Sequence, residues 1–135
     1  MRAPLPFAAL AAFLALSPPA VSAQAQGGEW SSAQTIEIQL SNYKFEPNTI
    51  TMRRGQPYRL HLVSTGDHSF SSPKFFAAAQ IAPQDAAMVT GGKIEVDKGA
   101  PRDVLLIPQQ VGTYEFHCTH FMHAPMGMSG HITVQ

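Results

Sequence analysis

Tyr114-Glu115-Phe116-His117-Cys118-Thr119-His120-Phe121-Met122-His123-Ala124-Pro125-Met126-Gly127-Met128 is the stretch around which the rest of the chain is organised. Its first part alternates as a strand does: Tyr114, Phe116 and Cys118 share one face, and Glu115 and His117 take the other. Two large aromatics beside Cys118 make that face the core, so the thiol sits at the buried end of a strand. Its second part spaces Cys118, His123 and Met128 as Cys-x4-His-x4-Met. Thiolate, imidazole and thioether are soft-to-borderline donors. Copper is the metal that uses all three together, in a trigonal set of two histidines and a cysteine with a weak axial methionine. One more histidine is needed from elsewhere, and His68 is available.

Strand alternation sorts the remaining histidines. His61 opposes Leu60 and Leu62, His131 opposes Ile132 and Val134, and His117 opposes Phe116 and Cys118, so all three read as surface residues. His68, His120 and His123 fall in loops, where no pleat fixes their direction. A single loop histidine is ordinarily a surface residue, but a buried-end cysteine and a following methionine reverse that expectation. Four residues between Cys118 and His123 allow the chain to turn back; the one residue before His120 gives little room. His123 is therefore the better ligand and His120 the reserve. Methionine is ordinarily adaptable core filler. Among Met122, Met126 and Met128, Met122 directly precedes His123 and is badly placed, while Gly127 frees the backbone to return Met128. Met126 is kept in reserve.

Around this stretch the chain reads as one domain with appendages. Residues 1–23 have the form of a secretory leader: Arg2, an apolar run over Phe7–Leu16 and a small-residue cleavage site at Val21-Ser22-Ala23, with Ala25 as the competing cut. The run is shorter than the roughly 20 residues a membrane-crossing helix needs. Export to a periplasm or beyond is expected, without stable membrane insertion. Removing the leader takes one of nine basic side chains and none of nine acidic ones, which leaves no charge pattern suited to nucleic acid. One cysteine allows no internal disulfide, and a free thiol in an oxidising compartment calls for another role, which metal ligation supplies.

Residues 24–34 read as a flexible linker, and 35–135 as the domain. Ile36, Ile38 and Leu40 alternate with Glu37 and Gln39; Pro47 interrupts pairing and Ile50 and Met52 resume it; Leu60 and Leu62 mark a third strand. Ser64–Ser72 reads as a polar turn region containing His68. Ser72-Pro73 reads as a helix start carried by Lys74–Gln80 for about two turns. Ile81–Gly92 reads as a loop. Ile94 and Val96, then Val104–Ile107, then Thr113–Cys118, then Gly130–Gln135 supply further strands. Short strands with turn signals and one short helix indicate an all-β sandwich.

These residues resemble the cupredoxin family of small blue copper proteins. The resemblance covers roughly 35–135 and rests on Phe45-x-Pro47-x-x-Ile50-x-Met52-x-x-Gly55, His68-Ser69-Phe70, Gly112-Thr113-Tyr114-x-Phe116-x-Cys118 and His123-x4-Met128-x-Gly130-x-Ile132-x-Val134. It implies a Greek-key β-sandwich with one copper ion per chain at one end, cycling between Cu(I) and Cu(II). His68, Cys118 and His123 would be the equatorial ligands and Met128 the axial one. The family often has Asn after the first histidine ligand; here Ser69 stands there, and a weaker side-chain tether between the ligand loops is expected.

The leading expectation is an exported one-electron carrier, monomeric, meeting a redox partner protein briefly through the edge of His123 and neighbours such as Ala124 and Pro125. The second is a copper-binding or delivery protein without an electron-transfer role, exchanging the ion with a donor or acceptor protein. The histidine and methionine surplus over Met122–Met128 speaks for it. An enzyme is not expected: a Cys–His nucleophilic pair would need an orienting group, and none adjoins Cys118 in sequence. Structural zinc rarely recruits methionine.

Overall fold

The computed structural model of this chain describes residues 29–135. The leader expected over 1–23 and the linker residues 24–28 lie outside them. Residues 29–31 form a helical turn, with the Ala33 N–H donating to the Trp30 carbonyl at 3.3 Å. The strands follow as β1 (Gln34–Ser41), β2 (Lys44–Glu46), β3 (Thr49–Met52), β4 (Tyr58–Ser64), β5 (His68–Ser71), β6 (Ala79–Ile81), β7 (Lys93–Val96), β8 (Arg102–Pro108), β9 (Gly112–His117) and β10 (Ser129–Val134). One short helix, α1 (Pro73–Ala77), precedes β6, and a 3-10 turn spans Ala86–Met88.

The strands form two five-stranded sheets, ordered β2-β1-β4-β8-β6 and β3-β10-β9-β5-β7. Two neighbouring pairs run parallel, β1 with β4 and β3 with β10; the other pairs are antiparallel. Parallel neighbours need crossover connections, and the chain makes them by passing from one sheet of the β-sandwich to the other. The period-two patterns do what they imply. Ile38, Leu40, Leu60, Leu62, Val104 and Leu106 from the first sheet face Phe70, Ile94, Val96, Phe116, Ile132 and Val134 from the second, all buried in one core.

At the end of the core that leads toward Cys118, three aromatics interlock. Phe116 stacks on Phe70 with ring centres 4.7 Å apart, and Phe45 meets Phe116 edge-on at 5.0 Å. Gly130 permits that packing. A Cβ there would collide with the Asn48 carbonyl and the Phe116 ring.

Two local expectations are corrected. His68 does not lie in a turn; it opens β5, whose four residues are all buried. The serines that made this stretch look like a loop are buried and bonded: Ser72 Oγ donates to the Glu115 carbonyl at 2.7 Å, and Ser69 Oγ reaches Thr119. A short hydroxyl side chain can enter a core when a neighbouring strand accepts its proton. The helix is one turn, not two, and Ser72 makes no side-chain cap bond. Phe75 and Phe76 are buried by that one turn, and Ala79–Ile81 then pairs with β8, taking part of what read as helix and loop. Among residues other than glycine and proline, helix preference differs by less than about 1 kcal/mol. A strand edge with buried neighbours outweighs it.

Candidate metal centre

Three elements converge at one end of the sandwich. β5 begins with His68, β9 runs out into Cys118, and the loop to β10 carries His123. One donor atom from each of these residues lies within 4.8 Å of the others. His68 Nδ1 is 3.1 Å from His123 Nδ1, Cys118 Sγ is 3.3 Å from His123 Nδ1, and the sulfur is 4.0 Å from His68 Nδ1. A point equidistant from all three lies about 2 Å from each, close to the usual length of a metal–imidazole bond. The triangle therefore has the size of a trigonal metal site, and its donor chemistry suits copper.

The surroundings hold the triangle in place. Cys118 is 1% exposed and His68 1%, whereas His123 is half-buried. Among the described residues, His68 Nε2 is a buried nitrogen without a hydrogen-bond partner, so Nδ1 is the engaged atom of that ring. Burying an imidazole costs free energy; a bond from Nδ1 to a metal would offset part of that cost and leave Nε2 unpartnered. Burial, followed by the neighbouring His123 and His120 imidazoles, holds the His68 pKa below its ordinary 6.5, against the opposing pull of Asp67. A neutral imidazole is the form that binds a metal.

Ser69 ties together the segments that carry His68 and Cys118. Its backbone N–H donates to Cys118 Sγ at 3.4 Å, and its hydroxyl lies 3.8 Å from the same sulfur. The Thr119 N–H donates to Ser69 Oγ at 2.8 Å, and the two hydroxyls are 2.8 Å apart. The side-chain tether expected to be weaker is thus made, with Thr119 as its counterpart. Sequence reasoning missed Thr119, although its place directly after Cys118 was a usable signal.

The loop is closed by its own backbone. The His123 N–H donates to the His120 carbonyl at 3.1 Å, the Met128 N–H to the His123 carbonyl at 3.1 Å, and the Cys118 N–H to the Met128 carbonyl at 3.1 Å. Gly127 adopts φ +106°, the freedom anticipated for returning Met128 to the core. Met128 is fully buried, while Met126 is 57% exposed and Met122 49%. His120 stands beside the triangle, its ring centre 5.4 Å from that of His123. Its Nε2 is engaged elsewhere, 2.9 Å from a Glu95 carboxylate oxygen. Burial pushes Glu95 up, but bonds from His120 and Lys93 outweigh it and hold the carboxyl below its ordinary value. Tyr43 meets the His123 ring edge-on at 5.4 Å, a contact not foreseen from sequence. His61 pairs with Asp103 at 2.9 Å, and His131 is exposed.

Residues 6–134 match the family described as a cupredoxin-like domain. The copper-resistant cuproprotein CopI of Rubrivivax gelatinosus is 30% identical over 117 residues, spanning 80% of this chain and 71% of that protein. Among solved structures, the dithionite-reduced auracyanin of the photosynthetic bacterium Roseiflexus castenholzii superposes with a TM-score of 0.57 at 22% identity, over 77% of this chain and 98% of its own. A multicopper oxidase superposes with a TM-score of 0.56 at 13% identity, over 77% of this chain and 45% of the oxidase. At such identities these two likenesses concern the fold alone.

Proposed function

Because this chain belongs to the cupredoxin-like domain family, we propose that it is an exported copper-binding protein whose His68, Cys118 and His123 hold one ion, with Met128 as the axial ligand. The observation that carries the reading is the triangle of Nδ1, Nδ1 and Sγ, already at bonding radius. The bound ion would supply a one-electron Cu(I)/Cu(II) couple. What the chain supplies is a buried donor set that need not rearrange when the charge changes. The Ser69 amide stabilises charge on the sulfur, and Ser69–Thr119 bonding keeps the two ligand segments in register. Half-buried His123 shares its loop with exposed Phe121 and Met126, which supports brief contact with a redox partner protein at this end. We read the protein as a carrier, not an enzyme.

A second reading, copper handling without electron transfer, draws on the CopI likeness across most of both chains. A visible spectrum of the copper-loaded protein separates the two. A carrier shows an intense thiolate-to-Cu(II) band, reduced and reoxidised reversibly; a protein that holds copper only as colourless Cu(I) does not. Cys118→Ser should abolish the band while far-ultraviolet dichroism stays close to that of the parent protein. A band that survives that change sinks the site assignment.

A further inference from the structure

Two methionines of the ligand loop are not packed where methionines ordinarily go. Met52 and Met128 are fully buried, and Met88 is half-buried against the core. Met122 and Met126 are 49% and 57% exposed, so their thioethers contribute little to the core. One exposed methionine would need no explanation. These two are joined: the Met126 N–H donates to the Met122 carbonyl at 3.1 Å, closing a five-residue turn with a methionine at each end. Met122 also adopts φ 65°, the left-handed region that unbranched L residues other than Asn and Asp seldom occupy. The turn includes His123, whose Nδ1 is one corner of the triangle.

We propose that Met122 and Met126 form a second, solvent-open site that captures Cu(I) at the mouth of the buried centre. The inference rests on the copper-handling side of the reading above. Donor type selects the ion. Thioethers are soft ligands that favour Cu(I) and offer nothing to harder cations. The nearby imidazole that would attract Cu(II), His120, is engaged by Glu95, so the open site is a thioether pair. The five-residue turn sets the two methionines at its ends, four positions apart, and their exposure lets an ion arrive from solvent or from a donor protein. Binding is a simple ligation: no electron moves and no proton leaves, since a thioether carries none to lose.

The test uses the full chain with copper first bound at the buried centre, then titrated with Ag(I) as a redox-inert stand-in for Cu(I). Methionine methyl signals are followed by NMR on the reduced, desalted and diamagnetic Cu(I) form, and the thiolate band is read on a parallel oxidised sample. The expected result is a further equivalent of Ag(I) bound, with two methyl resonances shifted and the thiolate band unchanged. In Met122→Leu/Met126→Leu, both positions being exposed, that equivalent should be lost while the band remains. The proposal is overturned if no further equivalent binds, or if it binds equally to the double variant. In the first case the exposed methionines serve only as contact surface. Failure of the buried centre reads out separately, as absence of the thiolate band, and leaves the methyl shifts to be scored on their own.

Discussion

Met126 and Met128 carry the same thioether two positions apart, yet they occupy opposite environments. Met128 is sealed in the core beside Cys118, and Met126 is 57% exposed. Gly127 makes the difference, because φ +106° reverses the chain between them. Burial is equally what a packing methionine shows, so the axial role needs a functional readout. An axial thioether is a weak, long ligand that tunes potential more than it retains the metal. Met128→Gln should therefore keep copper bound, alter the thiolate band and lower the potential. Met126→Gln should move the potential several times less. Voltammetry of both variants decides it: a larger shift from position 126 would exchange the assignment, and no shift from either would remove methionine from the centre.

β9 and β10 bracket the ligand loop, and their pairing sets how far apart its two ends can be. Ser129 pairs with His117 and Gly130 with Phe116, so the loop must leave and return within one ladder step of Cys118. Phe116 can lie over that step only because Gly130 has no side chain. A methyl group there meets the Asn48 carbonyl on one side and the Phe116 ring on the other. Overpacking of this kind costs about 1–3 kcal/mol. Gly130→Ala is expected to destabilise the metal-free protein by an amount in that range, measured by urea unfolding. It should also broaden the thiolate band, as β9 shifts under the ligand loop. An unchanged unfolding midpoint would show that Phe116 relaxes without cost.

The complete domain pays for its site in pH sensitivity. His68 is held neutral in the folded chain by burial and by the adjoining imidazoles, so its folded pKa lies below its ordinary 6.5. Once unfolded, the ring can take a proton at that ordinary value. Below about pH 6.5 the unfolded state therefore binds more protons, and stability falls as pH drops toward the folded pKa. Above about pH 6.5 both states are neutral at this ring, and its contribution is flat. The metal-free protein should lose melting temperature as the pH falls below about 6.5, and His68→Gln should lose less over the same change. Equal pH dependence in the two proteins would assign the effect to other groups. Loading copper should raise the melting temperature, since the ion binds the folded chain preferentially.

What could be read along the chain is what depends on spacing. Alternation of Ile36, Ile38 and Leu40, of Leu60 and Leu62, and of Tyr114, Phe116 and Cys118 specifies which side chains enter the core, because successive residues of a strand must face opposite ways. That alternation was enough for the sandwich and for the buried thiol. The four-residue gap to His123 likewise pointed to a ring that the fold brings within 3.3 Å of the Cys118 sulfur. What depended on folding was everything that joins residues remote in sequence. His68 reads as a turn residue because Ser69, Ser71 and Ser72 follow it, and it becomes the start of a buried strand only where Thr119 and β9 satisfy the Ser69 and Ser72 hydroxyls. The Ser69–Thr119 bond, the Glu95 hold on His120 and the 3.1 Å approach of two imidazoles 55 positions apart have no local signature. Side-chain direction along a strand follows from local backbone geometry, whereas a hydrogen bond between segments exists only after the sheets have brought them together.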